Sequence, residues 1–368
     1  METLSFNKSP APTIGVELEI QILDSETYAL TPLAPEILKL VPDGLSARIK
    51  PEFIKSMVEI NTGICSTVSD VERDLTATYM YLNNITEGLG ATLYSTGLHP
   101  FSRGADQMVS DKSRYKNIMD ELQLVGRRFI SQGLHVHIGV DDEEKVIRVN
   151  NNIRIYLSVL LALSTSSPFY ESVDTGLMSY RAKLFEALPL AGIPDSLDNW
   201  EEFNELVRLL TKSGTIESVK DIWWDVRPHP DFGTIEVRIC DAPYCMRDIL
   251  AMTALIQALV LTLAEQHDNP EPHMQILRTN KWQAARYGLE GQYIDPFFGR
   301  KCSMREAAVN LYRYVKPAAE TLKSAAYLDE IPEILKRSTG AHIQKQLYYG
   351  NGNNFIEMIR TIQGYYFR

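Results

Sequence analysis

Residues 13–21 read T-I-G-V-E-L-E-I-Q. Two later stretches repeat their pattern, G-L-H-V-H-I-G-V at 133–140 and G-T-I-E-V-R-I-C-D at 233–241. In each, Val, Leu or Ile alternates with Glu, His or Arg. Side chains alternate faces along a strand, so each stretch has one apolar face and one charged face. The wet face of an ordinary strand carries a mixture of Lys, Thr, Ser and Glu. Here it is almost purely Glu17, Glu19, His135, His137, Glu236 and Arg238. Residues 55–65, K-S-M-V-E-I-N-T-G-I-C, add Glu59 in the same setting. Carboxylates crowded on one face raise one another's pKa, and a divalent cation removes that cost. Carboxylate-rich sites favour hard ions such as Mg²⁺ or Mn²⁺.

The bulk numbers narrow the field. The chain has 368 residues, 45% hydrophobic and 23% charged, which is ordinary for a globular protein. The net charge is 37 − 47 = −10. No basic run exists to track nucleic-acid phosphates or an anionic membrane surface, so neither partner is expected. Four cysteines (Cys65, Cys240, Cys245, Cys302) form no C-x-x-C pair, which argues against a structural zinc site. They are expected to pack the core. The first ten residues lack a basic region followed by an apolar core, so no signal peptide is expected. The most apolar stretch, 249–264, falls short of the roughly 20 residues a bilayer needs. It reads as a buried helix of a cytoplasmic protein.

Strand signals fall at 13–23, 56–61, 91–98, 133–140 and 233–240, with helical patterns between and after them. The clearest helix is 69–90, where Ser69 and Glu72 have the spacing of a capping box. Further helices are expected at 142–166, 199–213, 247–267, 275–286, 303–323 and 353–364. Pro and Gly cluster at 189–194 and 268–273, which read as surface loops. The acid-bearing strands span residues 17 to 238, so the site is assembled from distant segments. That favours a single catalytic domain over 1–368, of class α+β, with an antiparallel sheet and helices on one face.

An H-x-H pair on a strand puts both imidazoles on one face. One can join the acids as a nitrogen ligand while the other meets a phosphate. Zinc hydrolases also use H-x-H but need further histidines nearby. Among the arginines, Arg238 shares a face with Glu236. Arg181, Arg227 and Arg286 lie in aromatic-rich segments, and guanidinium forks suit phosphate or carboxylate. Taken singly, each is more often a surface ion pair. Neither G-x-x-x-x-G-K-[ST] nor G-x-G-x-x-G after a strand occurs. If ATP is used, metals and arginines must hold its phosphates.

Taken in order, these motifs resemble the glutamate–cysteine ligase type 2 family, in its YbdK-like carboxylate–amine ligase branch. The resemblance rests on 13–20, 55–65, G-L-H-P-F at 97–101 and Q-G-L-H-V-H-I-G at 132–139. It continues through D-I-W-W-D-V-R-P at 221–228, F-G-T-I-E-V-R-I-C-D-A-P at 232–243 and A-A-R-Y-G-L-E-G at 284–291. It implies a glutamine-synthetase-like catalytic fold, a bowl of antiparallel sheet with helices packed on its outer face. It also implies ATP and Mg²⁺ or Mn²⁺, and a reaction in which an amine attacks an acyl phosphate to give an amide such as gamma-glutamylcysteine. Carried over by motif, Glu17, Glu19, Glu52, Glu59, His137 and Glu236 are implied metal ligands. Arg238 and Glu236 are implied catalytic residues. Arg238, His135 and Arg286 are implied to meet the nucleotide, and Arg181, Trp224, Arg227 and His99 the substrates. A homodimer follows by analogy alone. Leu98, Phe169–Ser172 and Lys281 depart from the family pattern and are expected to border the substrates. The alternative is a metal-dependent hydrolase built on the same Glu and His residues.

Overall fold

The computed structural model describes residues 4–10, 12–266 and 271–367. Its centre is a seven-stranded sheet: β1 (Ile14–Asp24), β2 (Ile49–Pro51), β3 (Met57–Asn61), β4 (Ala91–Tyr94), β5 (Gly133–Gly139), β6 (Val226–His229) and β7 (Thr234–Asp241). The strands run in the order β2-β3-β1-β5-β7-β6, and β4 pairs with the far end of β1. Every pairing is antiparallel. The period-2 pattern is realised in full along β1: Ile14, Val16, Leu18, Ile20 and Ile22 are buried in the main core. Leu134, Val136 and Ile138 of β5 and Ile235 and Val237 of β7 join them there. The other face is left to the acids, histidines and arginines.

Helices cover the apolar face. They include α1 (Val68–Gly88), α3 (Glu143–Ile153), α4 (Leu157–Ser164), α5 (Trp200–Lys212) and α6 (Met246–Ala264), while α2 (Ser113–Leu122) lies over the charged face. The central one, α6, touches α1, α3 and β5. Its 19 residues have a mean hydropathy of 1.6, long and apolar enough to cross a membrane, yet 83% of that window is buried in the protein. Its apolar character on all sides follows from contact with neighbours on every side. Three of the four cysteines are buried, and all four are free thiols. Burial pushes Cys240 and Cys245 up to about 12, so they stay protonated and serve the core.

Three expectations shift. The cap of α1 is Thr67 with Asp70, two residues before the predicted pair. Asp70 N–H donates to Thr67 Oγ1 at 3.2 Å, and Thr67 N–H returns the bond to Asp70 Oδ2 at 3.0 Å. Glu72 instead accepts from the Tyr327 hydroxyl at 2.6 Å. The long helix expected at 142–166 is broken between α3 and α4. Arg154 Nε donates to the Asn151 carbonyl at 3.0 Å, taking an acceptor that a continuing helix would use. Unexpected helices appear at Ala34–Leu40, Ser113–Leu122, Glu330–Arg337 and Gly340–Gly350. The loop expected at 268–273 lies partly outside the described residues.

Candidate active site

Strand register builds the site. Glu17 lies across from Asn61 on one side and His135 on the other, and Glu19 lies across from Glu59. His137 lies across from Glu236, which lies across from Arg227. Seven chemically active residues thus share one face by antiparallel pairing alone. The β5–β7 register slips between Leu134 and Val136. This bulge falls at Arg238, whose N–H donates to the Asp225 carbonyl at 2.9 Å. Bulges re-aim side chains, and here the aimed group is a guanidinium. The face opens into a cavity of about 300 Å³.

The cavity has two electrostatic ends. At one, Glu236 accepts from Arg227 Nη2 at 2.6 Å and Nε at 3.1 Å, and from Arg238 Nη1 on its other oxygen. Burial opposes ionisation of Glu236, but Arg227 and Arg238 outweigh it and hold the carboxyl far below its ordinary range. Glu17 lies 3.5 Å from His135 Nδ1 and 3.6 Å from His137 Nε2, and His137 Nε2 is 3.7 Å from Glu236. Burial opposes the Glu17 charge as well, and the two histidines overcome it. His135 itself is pushed down to about 4 by burial and by Arg238, so it is neutral near pH 7.

At the other end, Glu19, Glu52 and Glu59 gather with little compensation. Burial pushes Glu19 up to about 7, against the pull of Arg181. Burial and the Glu19 charge push Glu52 up to about 7. Burial and the Glu17 charge raise Glu59 well above the ordinary range. Local donors are few: Gly133 N–H to Glu19 at 2.5 Å, Phe53 N–H to Glu52 at 3.0 Å, and Asn61 Nδ2 to Glu59 at 2.8 Å.

The Glu17 end has donors spaced to hold a divalent cation. Donor atoms of Glu17, His135 and Glu236 all lie within 4.8 Å of one another. Both nitrogens of His135 and Nε2 of His137 are buried without a hydrogen bond. A buried polar atom without a partner is costly unless something else supplies one. The His137 ring is oriented through Nδ1, which sits 3.0 Å from Thr234 Oγ1.

Four predicted site residues do not line this cavity. His99 is fully buried: Nε2 is 2.9 Å from the Tyr28 carbonyl, and Nδ1 accepts from Ser102 N–H at 2.9 Å. Its ring nitrogens are thus committed to backbone, which corrects the substrate-binding expectation. Arg181 is buried beneath the acid end, where its charge favours that of Glu19 and its guanidinium lies over the Phe185 ring at 4.5 Å. It donates to the carbonyls of Ile239 and Arg238 at 3.2 and 3.3 Å, bracing the bulge. Arg286 donates to the Gly176 carbonyl and stacks on Tyr287. Trp224 packs against the core, while its neighbour Trp223 lines the cavity, since adjacent residues face opposite ways. Of the three departures from the family pattern, none lines this cavity. Leu98 is a core residue, and Lys281 is buried in an ion pair with Asp225 at 2.6 Å.

The sequence reading missed the opposite wall. Phe53, Tyr115, Ile118, Leu122, Phe129 and Phe185 all line the cavity. A signal was present, because 115, 118 and 122 follow a helical i, i+3, i+7 stripe. His229, which lines the cavity and stacks on Phe232 at 4.2 Å, was also passed over. Its lone position in the sequence gave no ligand spacing.

Comparison with known proteins agrees with this architecture. The profile of glutamate–cysteine ligase family 2 matches residues 13–354. A provisionally named glutamate–cysteine ligase 2 of Gloeobacter violaceus is 42% identical over 352 residues, 94% of this chain and 95% of the relative. One of Thermobifida fusca is 39% identical, covering 94% of this chain and 88% of the relative. Among solved structures, glutamate–cysteine ligase from Francisella tularensis in complex with AMP superposes with a TM-score of 0.71 at 16% identity, covering 98% of this chain and 89% of that one. The bifunctional glutathione synthetase of Pasteurella multocida gives 0.73 at 14% identity, covering 96% of this chain and 52% of its own. The α+β, glutamine-synthetase-like fold expected from the sequence is the fold found. Fold and family define an enzyme of the carboxylate–amine ligase class, one that forms carbon–nitrogen bonds. The chain belongs to glutamate–cysteine ligase family 2. A hydrolase reading finds no support in that membership.

Proposed function

We propose that the protein uses ATP to convert a carboxylate to an acyl phosphate, which an amine then attacks to release phosphate and form an amide. Glutamate and cysteine, giving gamma-glutamylcysteine, are the first pair to test. The observation that carries this reading is the two-ended cavity: Glu17, His135 and Glu236 beside two arginines, facing Glu19, Glu52 and Glu59. The AMP-bound relative supports the nucleotide part.

Mg²⁺ or Mn²⁺ would be held by Glu19, Glu52 and Glu59 at one end and by Glu17, His135 and Glu236 at the other. The donor geometry favours His135 over His137 for that second set, a change from the sequence reading. When bound, the ions neutralise phosphate charge and hold the reacting oxygens in line. The protein's own residues do the rest. Arg227 fixes Glu236 through two hydrogen bonds. Arg238 uses Nη1 on Glu236 and keeps a buried Nε without a partner, free to meet a phosphoryl oxygen. His137, held by Thr234, faces the same charge. Phosphoryl transfer is mostly positioning and charge stabilisation, so no protein nucleophile is required.

The test is product analysis with ATP, Mg²⁺, glutamate and a panel of amines, cysteine first, with hydroxylamine as an added trap. ADP, phosphate and an amide, plus a hydroxamate in the trapped reaction, are expected. AMP and pyrophosphate would replace the acyl phosphate with an acyl adenylate. Amide hydrolysis without ATP would overturn the ligase reading.

A further inference from the structure

A side cavity of about 400 Å³ opens next to the catalytic one. Glu17, Lys50, His137 and Phe232 line both, so the two join beside Glu17 and His137. Residues of β1 line it, and strand alternation explains the opening. Gly15 shares the charged face with Glu17 and Glu19, so that face carries no side chain at position 15. A Cβ there would meet only His137 Cβ, at 3.5 Å. Phe232, 52% exposed, forms part of the wall. A single exposed ring is ordinary on a protein surface. This one is pinned. It lies flat on buried His229, with centroids 4.2 Å apart and planes 6° apart, and edge-on to His137 at 5.7 Å. The turn that carries it is held from two sides. Asn7 N–H donates to the Pro230 carbonyl at 3.0 Å, and Val140 N–H donates to the Gly233 carbonyl at 2.9 Å. Gly233 has a φ of 62°, and a Cβ there would lie 1.7 Å from the Asn7 carbonyl oxygen. The outer face of Phe232 is therefore a fixed apolar plane one ring away from the phosphate end. The cavity also keeps an unmet polar atom. Asn61 is 6% exposed, donates Nδ2 to Glu59 at 2.8 Å, and leaves Oδ1 buried without a partner.

A fixed aromatic plane, a free buried acceptor and a junction with the phosphate end together fit a nucleoside. Every base has a π-face, so an aromatic plane holds it by stacking. Another side cavity joins the catalytic one through Lys220 and His229. It carries Glu201, Glu205, Glu217 and Asp231 against Arg208 and Lys220, and its described lining has no aromatic ring besides buried His229. It offers a base no exposed plane and surrounds a nucleotide with like charge. We infer that the nucleoside of ATP lies in the cavity over Gly15. Its base stacks on the outer face of Phe232, and Asn61 Oδ1 accepts from one of its hydroxyl or amino groups. ATP use itself is taken from the ligase reading, and the test below separates the two.

The experiment is calorimetric binding of a non-hydrolysable ATP analogue and of inorganic tripolyphosphate to the full chain with Mg²⁺. Phe232→Ala should weaken the analogue about tenfold or more, the factor one stacked base contributes, and change tripolyphosphate by less than about twofold. Gly15→Leu, which fills the cavity beside Glu17, should do the same. Phe232→Trp should hold the analogue within about threefold of the unsubstituted chain, since it keeps a stacking face. Its fluorescence should fall on adding the analogue and not on adding tripolyphosphate. Circular dichroism checks that each variant is folded, and Phe232→Ala removes an exposed ring, which leaves the core intact. Unchanged analogue binding in folded Phe232→Ala and Gly15→Leu overturns the inference and leaves the ligase reading standing. Equal loss of analogue and tripolyphosphate also overturns it, because the ring then acts through the phosphates and not through the base. An unsubstituted chain that binds no analogue sinks ATP use and the nucleoside site together.

Discussion

Glu17 occupies the crossing point of the site, between Asn61 and His135 in register and within 3.6 Å of both histidines. Glu17→Gln keeps its shape and removes its charge. ATP turnover should fall by about a hundredfold or more, the scale of losing one key electrostatic contact. The thermal midpoint should hold or rise, because Glu17 is one of the charges that raise Glu59. A fully active variant would remove Glu17 from the metal set. Arg238→Lys replaces a fork with a point charge. The expected result is a kcat lower by about a hundredfold with the ATP KM within about threefold, as for an interaction made in the transition state. A matching rise in KM instead would make Arg238 a ground-state binding residue. At this scale the sequence was most legible where the pattern was periodic. Glu17, Glu19, Glu59, His135, His137, Glu236 and Arg238 could be found by counting every second residue. His99 and Trp224 could not be sorted this way, because a motif says which residues recur and not which way each one points.

Elements were legible when their signal was local. Strands β1, β3, β5 and β7 and helix α5 came out within a residue or two, helped for α5 by Asn199, whose side chain accepts from Glu202 N–H at 2.9 Å. Strand β4 ends at Tyr94, short of the expected 98, and the short β2 and β6 were not foreseen. The start of α1 was misread because Ser69 and Glu72 have the same spacing as Thr67 and Asp70. The two choices predict different mutants. Thr67→Ala should cost about 1 kcal/mol of stability by denaturant unfolding, and Ser69→Ala less than about 0.5 kcal/mol. The reverse order would restore the sequence-based cap. The α3–α4 break was invisible because its cause is distant: Arg154 also binds the Pro194 carbonyl at 3.2 Å and Glu271 at 2.6 Å. The α2 wall was missed for a related reason, since its stripe faces a cavity that exists only once β1, β3 and β5 have paired.

For the whole molecule, the crowded acids make stability depend on pH and on metal together. Glu19 and Glu52 move from 4.5 in the unfolded chain to about 7 in the fold, so the native state binds more protons across that window. Stability therefore falls as pH rises from about 4.5 to about 7 in metal-free buffer. Glu17 and Glu236 act in the opposite sense, and their contribution is lost only as pH drops below the ordinary carboxylate range. Thermal midpoints in EDTA should decline between about pH 5 and about pH 8, and millimolar Mg²⁺ should reverse the decline, because it binds the ionised form. A midpoint indifferent to Mg²⁺ at pH 8 would detach the acids from metal binding. The strand order has a kinetic consequence as well. His137 and Glu236 face each other across β5 and β7, yet 236 − 137 = 99 residues of chain separate them. Closing so long a loop is slow relative to forming the local helices. A refolding chain will regain most of its helical signal before it can capture a cation. Metal uptake followed by stopped flow would then mark the last step to the native state, a clock for completion that no helix-sensitive probe provides.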